Sequence, residues 1–348
     1  MTLMENMMRA GNSRRASMAC APAGAMASRS EPLLRVDGLC VGTEHSDLVL
    51  DVSFDLAPGE TLCLVGESGC GKSLTCLATM GLLSAPVKRK AGRVMFAGEE
   101  LSGLSETALL RLRGREVSMI FQDATAALNP VRRVGDQVAE VLSLHEGLTS
   151  RAARDRTTEL FEMVGIPDPR ARLRAYPHEL SGGMNQRIMI AMALACKPQL
   201  IIADEATTAL DVTTQAQILK LLRRLQAETG AAMIFVTHDL GVVAEIADRV
   251  AVMYSGRIVE LATADTLFDA PSHPYTRGLM ACRLHAGTHN TGRLAAIEGV
   301  VPNPTARPQG CAFGPRCPQA TTTCVEMPAL TAREEGHSVA CHYPGDDR

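Results

Sequence analysis

The sequence predicts an α/β protein built on a parallel sheet, and three observations carry that prediction. A short apolar strand, Thr61 to Val65, runs straight into a glycine-rich turn and then a helical stretch. Two further apolar runs, 200–203 and 233–236, are separated by a helical pattern over 212–227, the alternation that crossover helices on a parallel sheet produce. Ahead of them, residues 33–36 and 48–54 read as an antiparallel pair of strands, closed by the turn Ala57-Pro58-Gly59-Glu60.

The remaining elements follow in order. The helix after the glycine-rich turn is expected to reach about Leu83, and residues 101–197 read as mostly helical. Over 149–164 apolar positions recur at three- and four-residue spacing on a charged background, which suggests an inserted helical lobe. Residues 250–254 and 257–260 close with a hairpin around Ser255-Gly256. Composition changes after about Ala270, because nine of the eighteen prolines lie in the final 78 residues and four cysteines crowd the last 38. The expected organisation is a tail over 1–31, a main domain over 32–270 and a small Cys/Pro-rich domain over 271–348.

Bulk properties exclude several classes. At 348 residues, 46% hydrophobic and 21% charged, the chain is long and apolar enough to bury a sizeable core. A net charge of -3 from 35 basic and 38 acidic residues supplies no global positive field for nucleic acid. The apolar stretch 188–196 falls well short of the roughly 20 residues that cross a bilayer as a helix. Arg14 and Arg15 precede an uncharged run over 16–28 that superficially resembles an export signal. That run lacks Leu, Ile, Val and Phe, so its transfer energy is too small for a signal core, and a disordered tail or a misassigned start is expected instead. Eleven cysteines without such a signal point to a reducing compartment.

Gly66-Glu67-Ser68-Gly69-Cys70-Gly71-Lys72-Ser73 fits the phosphate-binding loop pattern and sits between strand and helix, as that motif requires. Glycines let successive amides turn inward around phosphates, and the helix that follows presents its positive end to them. Lys72 is expected to reach the β and γ phosphates and Ser73 to ligate Mg²⁺. The run Leu200-Ile-Ile-Ala-Asp204-Glu205 is an apolar strand ending in two acids. Alone it would be an ordinary strand end; paired with a phosphate loop 131 residues upstream, one acid can hold Mg²⁺ and the other can orient water.

Leu180-Ser181-Gly182-Gly183-Met184-Asn185-Gln186 matches the signature motif of ATP-binding cassette ATPases, and from here the sequence resembles that family. The resemblance implies an ABC-type nucleotide-binding fold with a RecA-like core, an antiparallel β lobe and a helical lobe. It also implies that Ser181, Gly182 and Gly183 of one ATPase complete the nucleotide site of another. Gln122 resembles the loop glutamine that senses Mg²⁺, Thr208-Ala209-Leu210-Asp211 the loop that crosses the dimer interface, and His238 the switch histidine that contacts the γ-phosphate. Glu205 is then the residue that polarises water, and Asp204, Ser73 and Gln122 the Mg²⁺ set. One departure concerns Thr43, aligned where cassettes carry an aromatic that stacks on adenine. Loss of a stacking partner worth about 1 to 3 kcal/mol predicts weaker ATP affinity or looser base selectivity.

Three segments resemble the oligopeptide and dipeptide importer branch: Phe121-Gln122-Asp123 with Leu128-Asn129-Pro130, Tyr176-Pro177-His178-Glu179-Leu180, and His273-Pro274-Tyr275-Thr276-Arg277-Gly278-Leu279. Gly310-Cys311 and Arg316-Cys317 near the C terminus belong to the same resemblance. It implies a peripheral ATPase at the cytoplasmic face of the inner membrane. Its partners would be two membrane-spanning permease subunits, a second ATPase and an extracytoplasmic solute-binding protein. A nickel-chelate or glycoside importer of the same branch, or a soluble cassette acting on nucleic acid or ribosomes, are the alternatives. Asn185 replaces a commonly basic residue and Ala124 a usual proline; both could tune coupling to the partner. Cys311, Cys317, Cys324 and Cys341 offer four soft ligands on a segment with little core, which suits a four-iron cluster ahead of zinc, with four free thiols or a disulfide pair as the alternative. Cys70, beside Lys72 and a helix start, reads as an alkylation-sensitive thiol.

Overall fold

The computed structural model describes residues 31–207, 210–286 and 297–345. The expected tail lies outside these residues apart from Glu31, as do Thr208 and Ala209. Strands β1 (Leu34–Gly42) and β2 (Asp47–Leu56) pair antiparallel, as their alternation predicts. β3 (Thr61–Val65) is buried at every position and leads into helix α1 (Lys72–Thr79). That helix stops at Thr79 rather than Leu83, because Gly81 turns left-handed (φ +67°) and Leu82 N–H bonds back to Leu77 O at 2.8 Å.

β4 (Lys88–Phe96) and the two-residue β5 (Glu99–Glu100) complete an antiparallel sheet of order β2-β1-β4-β5. α2 (Glu106–Leu112) then leads to β6 (Val117–Ile120), a strand inside the stretch read as mostly helical. Its four residues are all buried, too short a run for periodicity to distinguish from helix. The helical lobe follows as α3 (Ala124–Ala127), α4 (Val134–Glu146), α5 (Ser150–Met163), α6 (Pro169–Arg172) and α7 (Gly182–Leu194).

β7 (Leu200–Asp204), α8 (Val212–Thr229), β8 (Ala232–Thr237), α9 (Leu240–Ile246), β9 (Arg249–Tyr254) and β10 (Arg257–Thr263) return the chain to the main sheet. α10 (Ala264–Asp269) and α11 (Pro274–Ala286) follow, and near the C terminus β11 (Thr331–Glu334) and β12 (His337–Val339) form a last hairpin. The main sheet runs β11-β12-β10-β9-β3-β8-β7-β6, parallel from β9 to β6 and antiparallel beyond. The chain after Ala270 therefore joins the same sheet, through β12 on β10, inside one compact unit spanning 31–348.

Strand alternation sends side chains to two cores. Leu62, Leu64, Ile202 and Ile234 face the antiparallel sheet, packing with Leu34, Val36 and Val41. Cys63, Val65, Ala203 and Phe235 face the helices, packing with Ile188, Ile218 and Val243. Each fully buried aliphatic side chain there contributes roughly 1.5 to 3 kcal/mol.

Candidate nucleotide site

Four parallel strands end on the same edge of the sheet, so the segments that leave them are neighbours. β3 delivers the phosphate loop, β6 delivers Gln122, β7 ends in Asp204 with Glu205 next, and β8 delivers His238. Their registers place Val65 beside Thr237 and Asp204 beside Val236. This is the edge where α/β sheets bind ligands.

In the loop, Gly66 has φ +150°, and a Cβ there would stand 2.2 Å from Met253 O, so no other residue fits. Lys72 opens α1, is 4% exposed, and donates from Nζ to Gly66 O at 2.8 Å and Glu67 O at 3.1 Å. Ser68 and Gly69 are exposed at the loop tip. Ser73 donates to Asp204 Oδ1 at 2.8 Å, bringing together two of the three residues expected to hold Mg²⁺. Burial raises the Asp204 carboxyl, and the neighbouring Glu205 charge adds to it, while Ser73 and Lys72 oppose both. A buried carboxylate paired with a hydroxyl is an oxygen-donor set of the kind Mg²⁺ takes, and a cation there would offset the cost of its burial.

Gln122 Nε2 donates to Glu205 Oε2 at 2.9 Å. His238 Nδ1 lies 3.8 Å from Glu205 Oε1, with its side chain 53% exposed toward the open edge. The carboxylate expected to orient water is therefore flanked by the glutamine expected to sense Mg²⁺ and the histidine expected to contact the γ-phosphate. Cys70 differs from its expectation. It is fully buried, and burial raises its thiol more than Lys72 lowers it, so it is no exposed thiolate for alkylation.

The signature serine is exposed at a helix start. Ser181 caps α7, its Oγ accepting Met184 N–H at 3.3 Å, and Gly182 and Gly183 occupy the first turn at the helix's positive end. Asp211 caps α8 by accepting from Thr213 at 3.1 Å and Thr214 at 3.0 Å, and these bonds, that from Thr214 foremost, lower its carboxyl. Asn185 is 2% exposed and donates to Pro177 O at 3.0 Å, so any effect of this residue on coupling would act through the packing of α7. Ala124 opens α3, the helical position where a proline's missing N–H costs nothing, so either residue suits it. Thr43 serves the β1–β2 turn, its Oγ accepting Ser46 N–H at 3.1 Å.

Sequence reasoning missed a set of residues from the C-terminal half that touch the phosphate loop: Tyr275, which accepts Glu67 N–H at 2.9 Å, and Arg316, which pairs with the Glu67 carboxylate. Arg316 stood in a recognised segment beside Cys317, but nothing in the sequence names a partner 249 residues away. The four C-terminal cysteines line one small cavity with His273, Phe313, His342 and Tyr343. Among the described residues no group of three His, Cys, Asp or Glu side chains is placed to hold a metal ion, and all four cysteines are free thiols.

The ABC transporter family matches residues 49–208, and the oligopeptide/dipeptide transporter C-terminal region matches 259–324. The dipeptide transport ATP-binding protein DppD of Escherichia coli is 48% identical over 320 residues, covering 90% of this chain and 98% of that protein. Its Bacillus subtilis counterpart is 49% identical over 298 residues, covering 84% and 88%. Among solved structures, a dimeric post-hydrolysis ATP-binding cassette bound to ADP and Pi superposes with TM-score 0.60 at 26% identity, covering 66% of this chain and 98% of that one. The protein cbiO1 of Clostridium perfringens, part of an ABC transporter complex, gives the same TM-score and identity over 69% and 91%. With this family match, this length of shared sequence and the site geometry described above, the chain belongs to the ABC transporter ATPase family, in the branch of the dipeptide transport ATP-binding proteins.

Proposed function

We propose that this chain is the ATP-hydrolysing subunit that energises import of di- and oligopeptides across the cytoplasmic membrane. The observation that carries the reading is the convergence of the phosphate loop, Gln122, Asp204, Glu205 and His238 on one sheet edge. Its cargo class is supported by the relatives named for dipeptide transport. The assembly would comprise two permease subunits, a second ATPase and an extracytoplasmic receptor, with this chain peripheral at the cytoplasmic face. No described helix is long and apolar enough to cross a membrane.

Phosphoryl transfer asks little covalent chemistry of a protein, so positioning and charge do the catalysis. The loop amides and Lys72 hold the β and γ phosphates. When bound, Mg²⁺ would supply charge neutralisation at those phosphates, held by Ser73 and Asp204 with Gln122 near. Glu205, oriented by the Gln122 amide, accepts a hydrogen bond from the attacking water, and His238 donates to the γ-phosphate. Ser181 to Gly183 of the partner ATPase close the site from the opposite side.

The four thiols around the C-terminal cavity are the soft ligands that a four-iron cluster, in preference to zinc, would take, and they would have to draw together from their present placement to hold one. Burial raises Cys311, Cys317 and Cys341, and the negative charge of a Cys324 thiolate adds to each, a cost that a bound cation would reverse. Anaerobic elemental analysis is expected to find iron and sulfide, and protein with neither iron nor zinc would reject the assignment.

The test of the reading is phosphate release by the reconstituted assembly. Dipeptides presented with the receptor are expected to stimulate hydrolysis, whereas stimulation by nickel chelates or glycosides alone would move the cargo to another class.

A further inference from the structure

The phosphate loop is clasped from outside by the C-terminal part of the chain. Arg316 Nη1 donates to Glu67 Oε2 at 2.9 Å and Nη2 to Glu67 Oε1 at 3.1 Å, a two-pronged ion pair. The same guanidinium donates from Nε to Glu298 O at 2.8 Å, from Nη1 to Tyr254 Oη at 3.3 Å and from Nη2 to Ile297 O at 3.1 Å. All five guanidinium N–H groups are thereby engaged. The cation also lies over the rings of Tyr254 at 5.7 Å and Phe313 at 6.0 Å, and its side chain is 6% exposed. A fork so fully committed has no freedom to follow Glu67; Glu67 must follow it.

The other end of the same residue is held separately. Tyr275 is fully buried, packed on Tyr254 at 4.7 Å and Phe313 at 5.5 Å, and its hydroxyl accepts Glu67 N–H at 2.9 Å. Lys72 also holds Glu67, through the carbonyl, but a lysine turned onto phosphate oxygens gives that bond up. Arg316 and Tyr275 are contacts of Glu67 that survive the change. An exposed ion pair that merely ties two segments together would need neither the saturated fork nor the second anchor.

We propose that Arg316 and Tyr275 are positioning residues for ATP: by fixing Glu67 they pre-set the curvature of the phosphate loop, which makes the C-terminal segment part of the nucleotide site. Order imposed before binding lowers the entropy lost on binding, so the effect falls on affinity more than on the maximal rate. The proposal rests on assigning residues 66–73 to ATP.

The test uses the assembled transporter, with ATP binding at equilibrium and steady-state hydrolysis both measured. Arg316→Gln is expected to raise the Kd and KM for ATP about tenfold with kcat within about twofold, and Arg316→Lys, which lacks the fork, to come close to it. Tyr275→Phe removes one oxygen and is expected to weaken ATP binding about threefold, which keeps the test available should Arg316→Gln fail to assemble. On a Glu67→Ala background, Arg316→Gln is expected to add less than about twofold, because the two act through one contact. Wild-type affinity in folded Arg316 and Tyr275 variants, full rescue by lysine, or independent multiplication of the Glu67 and Arg316 effects would each overturn the proposal. Lys72→Ala separates the underlying assignment: normal ATP binding by that variant rejects the loop as the ATP site, whereas its loss alongside normal Arg316 affinity rejects the positioning role alone.

Discussion

Glu205 holds left-handed backbone, φ +47°, one residue past the end of β7, a conformation that side chains other than glycine rarely adopt. Its N–H is tied to Val236 O at 3.0 Å and its carboxylate takes the Gln122 amide, so the geometry that strains the backbone also aims the acid at the open edge. Glu205→Gln keeps the shape and removes the base. Hydrolysis is expected to fall about 10² to 10⁴-fold while ATP binding persists, as phosphate release and equilibrium binding would show. His273 is a second residue with a measurable signature. It is 1% exposed, its Nδ1 accepts Tyr275 N–H at 3.0 Å, and burial lowers its pKa from 6.5 to about 3. Between those pH values the unfolded chain binds a proton that the folded chain refuses. Stability is therefore expected to fall as pH drops below about 6.5, by up to about 1.4 kcal/mol per unit from this group. Denaturant midpoints that change equally in His273→Gln and wild type over that range would remove His273 as the cause.

At the scale of elements, what could be read in advance follows from run length and burial. β3, β7 and β8 are five- or six-residue apolar runs buried at every position, and the sequence displays them plainly. β4 opens Lys-Arg-Lys and is mostly exposed along its first half, and β11 is exposed throughout, so neither carries an apolar signal. Their pairing is decided by neighbours distant in sequence. The same holds for the link that joins the C-terminal hairpin to the main sheet. Glu260 is fully buried on β10, accepts Ser272 N–H at 2.7 Å and His273 N–H at 2.9 Å, and lies 2.9 Å from His337 Nε2 on β12. Glu260→Ala leaves these groups buried without a partner and is expected to cost about 3 kcal/mol or more. Hydrogen exchange should rise first over 331–339; unchanged protection there would show that other contacts hold the hairpin.

Across the whole molecule, the linear motifs announced the nucleotide site because each must sit at a fixed offset from the end of a strand, and parallel strands bring their ends together. The clasp of Arg316 and Tyr275 on Glu67 could not be read that way, since it joins residues 249 and 208 positions apart that share no motif. The site also remains open on the His238 side, where the exposed start of the signature helix, Ser181 and Gly182, of a second cassette is expected to close it. The central claim, that hydrolysis at this edge drives peptide import, is tested most directly by uptake of labelled di- to pentapeptides in the source cell. The chain would be deleted, restored, or restored as Glu205→Gln. Uptake should be lost on deletion and return only with the wild-type chain; uptake restored in full by Glu205→Gln, or untouched by deletion, would contradict the account.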